Sequence, residues 1–158
     1  MLWLLAIVGL GCAYFLWRHL QLARWRRLQE RWFSGDPIVE EHGAELFYAP
    51  RVFLRGSYLG TSRIPCLVDS YGCRLEGELR ASDRGLHFRA LLGSEAFFIP
   101  RARVRGVRVR RGPLRQAILE VWWERGGRSI RTLFQLPERD ANAFRSTVQR
   151  WLPVGGGE

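Results

Sequence analysis

A run of positive charge lies in the second half of the sequence. Between residues 101 and 115 no acidic residue occurs, and the segment carries Arg101, Arg103, Arg105, Arg108, Arg110, Arg111 and Arg115. The guanidinium group is planar, stays charged at physiological pH, and binds phosphate or carboxylate through paired hydrogen bonds. The chemistry that this segment can do is therefore recognition of an anionic surface.

The spacing of these arginines predicts a strand with a charged face. In a strand, Arg101, Arg103 and Arg105 share one face, and a bulge at Gly106 would keep Arg108 and Arg110 on it. The valines of the segment would then point into the core. The face either docks an anionic partner or is a solvated face that glutamates on neighbouring strands partly neutralise. Those glutamates are Glu76, Glu78, Glu120 and Glu124.

The composition fits one globular domain with a basic character. The chain has 158 residues, is 47% hydrophobic, and has a formal net charge of +10, with arginine as its only basic residue besides histidine. Such an excess suits lipid headgroups, an acidic protein or nucleic acid. The sequence disfavours nucleic acid, because its aromatic residues fall mostly at strand-core positions and no nucleic-acid-binding motif is present.

Catalytic and metal-binding patterns are absent from the sequence. There is no G-x-S-x-G, H-E-x-x-H or phosphate-binding glycine loop, so we expect no enzyme and no cofactor. His19, His42 and His87 are scattered singly, and we expect no metal site. The three cysteines, Cys12, Cys66 and Cys73, are predicted to be free thiols.

The N-terminus predicts a transmembrane helix. Leu2 to Trp17 is uncharged and apolar, and a span from Met1 to Leu22 would be long enough if Arg18 reached the headgroups. A cleaved signal peptide is disfavoured, because no basic residue precedes the run and no small-residue cleavage site follows it. A buried core helix is the other alternative.

Basic residues follow this apolar run and predict its orientation. By the positive-inside rule, the N-terminus lies outside and residues 18–158 lie in the cytoplasm, which makes the chain a single-pass protein of the inner membrane. The helix continues over residues 18–33, either as a juxtamembrane helix near anionic headgroups or as a simple continuation of the anchor. Its arginines are Arg18, Arg24, Arg26, Arg27 and Arg31.

A pair of small residues in the apolar run could serve helix packing. Gly9 and Ala13 are four residues apart, a spacing that lets a second helix approach closely. The sequence thus divides into an anchor with a basic juxtamembrane helix (1–33), a linker (34–43), a domain (44–152) and a flexible tail (153–158).

Alternating apolar residues and glycine-containing turns predict that the domain is mainly β. A closing amphipathic helix follows Pro137, with its apolar residues at helical spacing up to Leu152. The predicted strands cover residues 46–54, 73–81, 86–91, 96–99, 104–110, 117–124 and 129–136.

Several stretches resemble a known family. Gly77-x-Leu79-x-x-Ser82-x-x-Gly85-Leu86-x-Phe88 resembles the first full hairpin of bacterial pleckstrin-homology-like (PH-like) and GRAM modules, and Ile99-Pro100-x-x-x-Val104-x-x-Val107 resembles the strand start that follows it. A group of small bacterial membrane proteins with one span and a PH-like domain is similar in three further pieces. These are Tyr58-Leu59-Gly60-Thr61-Ser62, Leu119-x-Val121-x-Trp123 and Arg131-Thr132-x-Phe134.

The resemblance implies an N-terminal transmembrane helix followed by a PH-like antiparallel β-sandwich or barrel of about seven strands, closed by a C-terminal amphipathic helix. The expected function is a membrane-anchored binding or scaffold module on the cytoplasmic face, which docks a protein partner, anionic lipid headgroups or both. The alternative is an accessory subunit of a larger integral-membrane complex for transport or energy transduction. PH-like domains that read phosphoinositides use a basic cluster near the first hairpin loop, whereas the arginines here lie on a later strand.

Overall fold

The computed structural model describes residues 2–33, 35–36, 38–61, 65–67, 75–91, 96–112 and 115–152, with some side chains of 2–33 and 65–67 and that of Ala96 outside the description. Helix α1 covers Leu2–Phe33, and helix α2 covers Glu138–Gln149. A 3₁₀ turn, Arg101–Arg103, lies between the fifth and sixth strands. The strands are β1 (Glu45–Leu59), β2 (Pro65–Leu67), β3 (Leu75–Ser82), β4 (Gly85–Ala90), β5 (Ala96–Pro100), β6 (Val104–Arg111), β7 (Gln116–Arg125) and β8 (Arg128–Pro137).

The strands form one continuous antiparallel sheet in the order β5-β4-β3-β1-β8-β7-β6, with β2 paired to the end of β1. Strand β1 connects the two halves of the sheet. In its first half, Tyr48 pairs with Arg80 of β3. Its second half turns to β8, where Ser57 pairs with Thr132. The two meanders, β3-β4-β5 and β6-β7-β8, are thus joined through a single long strand.

Helix α2 closes the core. Its buried residues Ala141, Phe144 and Val148 lie at helical spacing on one face, and the Phe144 ring meets Phe47 of β1 edge-on at 5.3 Å. The first turn carries Glu138 and Asp140, whose negative charges favour the positive end of the helix dipole. A mainly β domain of seven principal strands followed by one C-terminal helix is PH-like, as the sequence predicted.

A short chain of polar groups crosses the centre of the core. Trp123 of β7 and Thr132 of β8 have no exposed surface, and Ser57 of β1 is almost fully buried. The indole Nε1 of Trp123 donates to Thr132 Oγ1 at 2.9 Å, and the hydroxyls of Thr132 and Ser57 are hydrogen-bonded at 2.7 Å. Because buried polar groups cost free energy when unpaired, this chain holds three neighbouring strands in register.

Two glycines of the PH-like sequence pattern are required for space. A Cβ on Gly77 would collide with the carbonyl oxygen of Arg89 and the ring of Phe88, and a Cβ on Gly85 would collide with the carbonyl oxygen of Ile99 and the ring of Phe98. Both glycines let the backbones of β3, β4 and β5 approach closely.

The N-terminal prediction requires a correction. Residues 2–33 form a helix, but no helix within the described residues combines the length and the hydropathy that a bilayer crossing needs. The predicted transmembrane helix over residues 1–22 is therefore wrong. The physical reason is length: the apolar run Leu2 to Trp17 would extend about 24 Å, less than a hydrocarbon core of about 30 Å, before Arg18 follows. The cytoplasmic placement of residues 18–158 stays a prediction.

The strand predictions agree closely with the structure except near β1. The observed β1 continues five residues beyond the predicted end, to Leu59, and the short β2 was not predicted. Gly56, with φ of 123°, lies where the register of β1 against β8 shifts, and this irregularity masks the alternation. The predicted tail, residues 153–158, lies outside the described residues.

Candidate docking surface

The arginine segment does not form one continuous strand. Arg101 and Arg103 belong to the 3₁₀ turn, so the prediction that they share a strand face with Arg105 is wrong. Pro100, which ends β5, and the turn redirect the chain toward β6. The bulge is confirmed, because the pairing with β7 shifts between Val104 and Gly106.

The inward residues of β6 follow the prediction only in part. Val104 is buried, whereas Val107 and Val109 are half-buried and pack against the edge of the core. Arg108 and Arg110 alternate with these valines and are exposed. The bulge thus places these two arginines on the outer face of the sheet.

Arg103 is held by the linker that follows α1. Its two terminal nitrogens donate to the two carboxylate oxygens of Asp36, each at 2.7 Å, and the backbone N–H of Gly126 donates to Asp36 Oδ2 at 2.6 Å. The hydrogen bonds from Arg103, and then that from Gly126, hold the pKa of the Asp36 carboxyl below its usual range. One residue pair thus joins the end of α1, the start of β6 and the β7–β8 turn.

The C-terminal end of α1 also packs against the domain. Phe33 is buried in the core cluster, and the guanidinium of Arg125 lies 4.6 Å from the centre of its ring. Together with the Asp36 ion pair, this contact attaches the C-terminal end of the helix beside the β7–β8 turn. The sequence analysis missed this junction, because Asp36 lies in the predicted linker, 67 residues before Arg103.

Three further arginines of the segment have partners inside the molecule. Arg105 forms an ion pair with Glu124 at 3.0 Å, and Arg110 forms one with Glu120 at 3.0 Å. The guanidinium of Arg101 lies 5.8 Å from the centre of the Trp151 ring. The predicted neutralisation is therefore confirmed for Glu120 and Glu124. It is wrong for Glu76 and Glu78, which lie on β3, away from β6, and pair with Arg51 and Arg80.

Three arginines remain available between the middle of β6 and the β6–β7 turn. Among the described residues, Arg108 and Arg115 have no ion pair, and Arg111 has its nearest carboxylate, Glu138, at 4.0 Å with 93% of its own side chain exposed. We call Arg108, Arg111 and Arg115 the distal arginine patch. Arg115, in the β6–β7 turn, has φ of 58° and therefore adopts the left-handed backbone conformation.

The other predicted contact residues lie on α1. Arg27 and Arg31 are exposed, while the side chains of Arg18, Arg24 and Arg26 lie outside the described part of the chain. Gly9 and Ala13 are exposed, and a Cβ on Gly9 would meet nothing within 4 Å. Their proposed role in helix packing stays a prediction, as does the role of the N-terminal arginines.

A concave region, which the sequence analysis did not predict, lies on the outer face of β3 and β4 beneath linker residues 40–43. Its cavity has a volume of about 230 Å³. His87 Nδ1 lies 3.3 Å from a carboxylate oxygen of Glu40, and the His87 and His42 rings lie 5.6 Å apart. His87 is therefore a hydrogen-bonded histidine at the surface.

The floor of this cavity is a satisfied ion-pair network. Burial raises the pKa of Glu78, but hydrogen bonds from Arg80 and from the Tyr48 hydroxyl outweigh it, and the net effect lowers that pKa. Arg80 also reaches Glu45 at 3.5 Å. Because these charges are matched inside the molecule, Glu78 and Arg80 offer a ligand little unpaired charge, and Arg89 is a further charged residue that lines the cavity.

Metal ligands and thiols complete the inventory. No group of three histidine, cysteine or acidic side chains within the described residues has the geometry of a metal site. Cys12 is exposed on α1 as a free thiol, and the thiols of Cys66 and Cys73 lie outside the described residues.

Comparison with known proteins yields structural likenesses alone. No family model and no curated protein matches the chain. A chain of the 8S snRNP assembly intermediate is 14% identical, with a TM-score of 0.47, over 78% of this chain and 94% of its own length. The pleckstrin homology domain of USP37 is 12% identical, with a TM-score of 0.44, over 63% of this chain and 94% of its own length. At these identities and TM-scores, neither likeness carries an argument about function.

Proposed function

We propose that this protein is a non-enzymatic docking module that binds an acidic surface of a partner protein through the distal arginine patch. The observation that carries the proposal is the division of the arginine segment. Arg103, Arg105 and Arg110 are neutralised inside the molecule, whereas Arg108 and Arg115 are exposed and have no ion pair among the described residues. Arg111 is also exposed, and its contact with Glu138 is long, at 4.0 Å. Exposed guanidiniums without partners keep their full attraction for carboxylates.

The position of the patch favours a protein partner over a lipid surface. The patch extends from Arg108, in the middle of β6, to the β6–β7 turn, and α1 joins the domain near Arg103, just before β6 begins. The full length of β6, from Val104 to Arg111, is about 23 Å. The junction between α1 and the domain and the far end of the patch thus lie at different ends of β6. A lipid surface that binds the arginines at one end of β6 gains no binding energy from the α1 junction at the other end. A folded partner protein needs to contact only the patch.

The absence of a catalytic role is part of the proposal. Asp83 is exposed in a tight turn, Asp140 lies in the first turn of α2, and His87 is paired with Glu40. Turn formation, dipole stabilisation and hydrogen bonding account for these groups, so none of them needs a reaction to explain its place.

The proposal is tested with a charge-matched pair of variants of the full chain. The first replaces Arg108, Arg111 and Arg115 with glutamine, and the second replaces Arg89, Arg139 and Arg145, which are exposed elsewhere. Both lose the same net charge. Binding of a labelled peptide of alternating glutamate and valine is measured by fluorescence anisotropy at low salt. The patch variant should bind roughly tenfold more weakly than the control variant, since each ion pair adds a fraction of a kcal/mol.

Two outcomes would overturn the proposal. Equal loss in both triple variants would mean that net charge alone drives binding. Binding to vesicles of phosphatidylglycerol and phosphatidylcholine through the patch, without binding to any acidic peptide, would assign the patch to lipid headgroups.

A second candidate function follows from a different observation. Large apolar side chains of α1 are exposed: Trp3, Ile7, Val8, Leu10, Tyr14, Phe15, Leu16, Trp17 and Leu20. An apolar surface of this extent is typical of an interaction site, which favours an accessory subunit whose helix is covered in a larger complex. Purification in mild detergent distinguishes the candidates, because an accessory subunit should elute with partners in fixed stoichiometry and a docking module should elute alone.

A further inference from the structure

The sheet ends at β6 with an open backbone edge. Strand β7 is the neighbour of β6 on one side, and in the part of the chain that the structure describes no strand pairs with the other side. An unpaired edge presents a row of backbone N–H and C=O groups to which another extended segment can bind.

The inner face beside this edge is incompletely covered. On β7, Leu119 and Val121 are fully buried, whereas Val107 and Val109, their partners on β6, are only half-buried. Helix α2 also packs against β6, and both valines still keep part of their surface exposed. An apolar side chain placed next to β6 would bury the remaining surface of both valines.

The charged residues of the edge strand itself are all of one sign. The segment from residue 101 to residue 115 contains no acidic residue, and Arg108 projects from the middle of β6 without an ion pair within the described residues. The one carboxylate that lies beneath it on β7, Glu120, is directed to Arg110. A strand laid beside β6 would be favoured by acidic side chains on its outer face.

We infer that the acidic partner binds as an extra strand: an extended segment with alternating acidic and apolar residues pairs with the open edge of β6. The inference rests on the proposed function and deepens it by specifying the form of the ligand. Acidic residues of the segment lie beside Arg108 on the outer face, and apolar residues lie over Val107 and Val109 on the inner face. The bulge before Val107 limits regular pairing to residues 107–111, a length of about 17 Å.

The experiment uses the full chain and three versions of the alternating glutamate–valine peptide. One is unmodified, one carries N-methyl groups on its valines, and one carries them on its glutamates. In a paired strand, alternate N–H groups point to the neighbour, so methylation of one set removes the hydrogen bonds and methylation of the other set does not. One methylated peptide should bind at least roughly tenfold more weakly, and the other should bind within about threefold of the unmodified peptide.

Amide hydrogen exchange of the chain gives the second readout. The unmodified peptide should slow exchange of alternate amides between Val107 and Arg111, because amides at an open edge otherwise exchange with solvent. Equal affinity of all three peptides, or binding that leaves these amides unprotected, would overturn strand addition and leave the charge-based function standing. Failure of every acidic peptide to bind would instead overturn the proposed function itself.

Discussion

Replacement of Thr132 with valine tests whether the buried polar chain stabilises the domain. Valine has nearly the same shape as threonine but lacks the hydroxyl, so the substitution removes hydrogen bonds without opening a large cavity. Thr132 Oγ1 accepts from Trp123 Nε1 at 2.9 Å and is bonded to Ser57 Oγ at 2.7 Å, and all three residues are buried. Two polar groups would thus lose their partner in the core.

The expected cost follows from these two groups. Each buried group without a partner costs about 1–3 kcal/mol, so we expect a loss of about 3 kcal/mol in the free energy of unfolding. At about 4 °C per kcal/mol for a domain of this size, the midpoint of thermal unfolding should fall by about 12 °C. Thr132→Ser is the matched control, because it keeps the hydroxyl and loses one methyl group, for about 1 kcal/mol.

Thermal unfolding of the full chain is followed by far-ultraviolet circular dichroism. The double variant Ser57→Ala with Thr132→Val should lose less stability than the sum of its two single variants, because Ser57 no longer leaves a hydroxyl unpaired. The reasoning is refuted if Thr132→Val melts within about 3 °C of the unmodified protein, or if Thr132→Ser falls as far as Thr132→Val.

Three further predictions concern other contacts. Because the folded pKa of Asp36 is lowered, its contribution to stability is present above about pH 4 and is lost as the pH falls below that value. Asp36→Asn should therefore lower the urea midpoint at pH 7, and the difference in midpoint between the two proteins should shrink in acid. A difference in midpoint that stays constant with pH would contradict this. Gly77→Ala should cost about 1–3 kcal/mol by thermal unfolding, whereas Gly106→Ala, whose Cβ would meet its nearest atom at 4.0 Å, should cost far less. Arg110→Gln should cost about 1–2 kcal/mol in urea titration by leaving the buried Glu120 carboxylate unpaired, and adding Glu120→Gln should recover part of it; unchanged stability of the single variant would argue against the ion pair.

The strands were predictable where one face is almost entirely apolar. Alternation along β7 and β8 places Leu119, Val121 and Trp123 on the buried face, and a one-residue slip would expose them all. The phase change at Gly106 likewise predicted the bulge. The closing helix was predictable because its apolar residues recur at helical spacing.

The partners of the arginines were not predictable from the sequence. Asp36 lies 67 residues before Arg103, and local periodicity contains nothing that relates them. The 3₁₀ turn at Arg101 was also missed, because an alternating arginine pattern fits a strand whether or not the chain bends there. The distal arginine patch could be identified only once the structure showed which arginines of the segment are neutralised by other residues.

The central place of β1 has a consequence for how the chain folds. Its first half pairs with β3, but its second half pairs with β8, which comes much later in the chain. Ser57 pairs there with Thr132, 75 residues further along the sequence. During synthesis, β1, β3, β4 and β5 can assemble early, while the second half of β1 has no strand to join until residues 128–137 have left the ribosome. Closure therefore depends on long-range pairing, which slows folding and makes completion of the domain a late event.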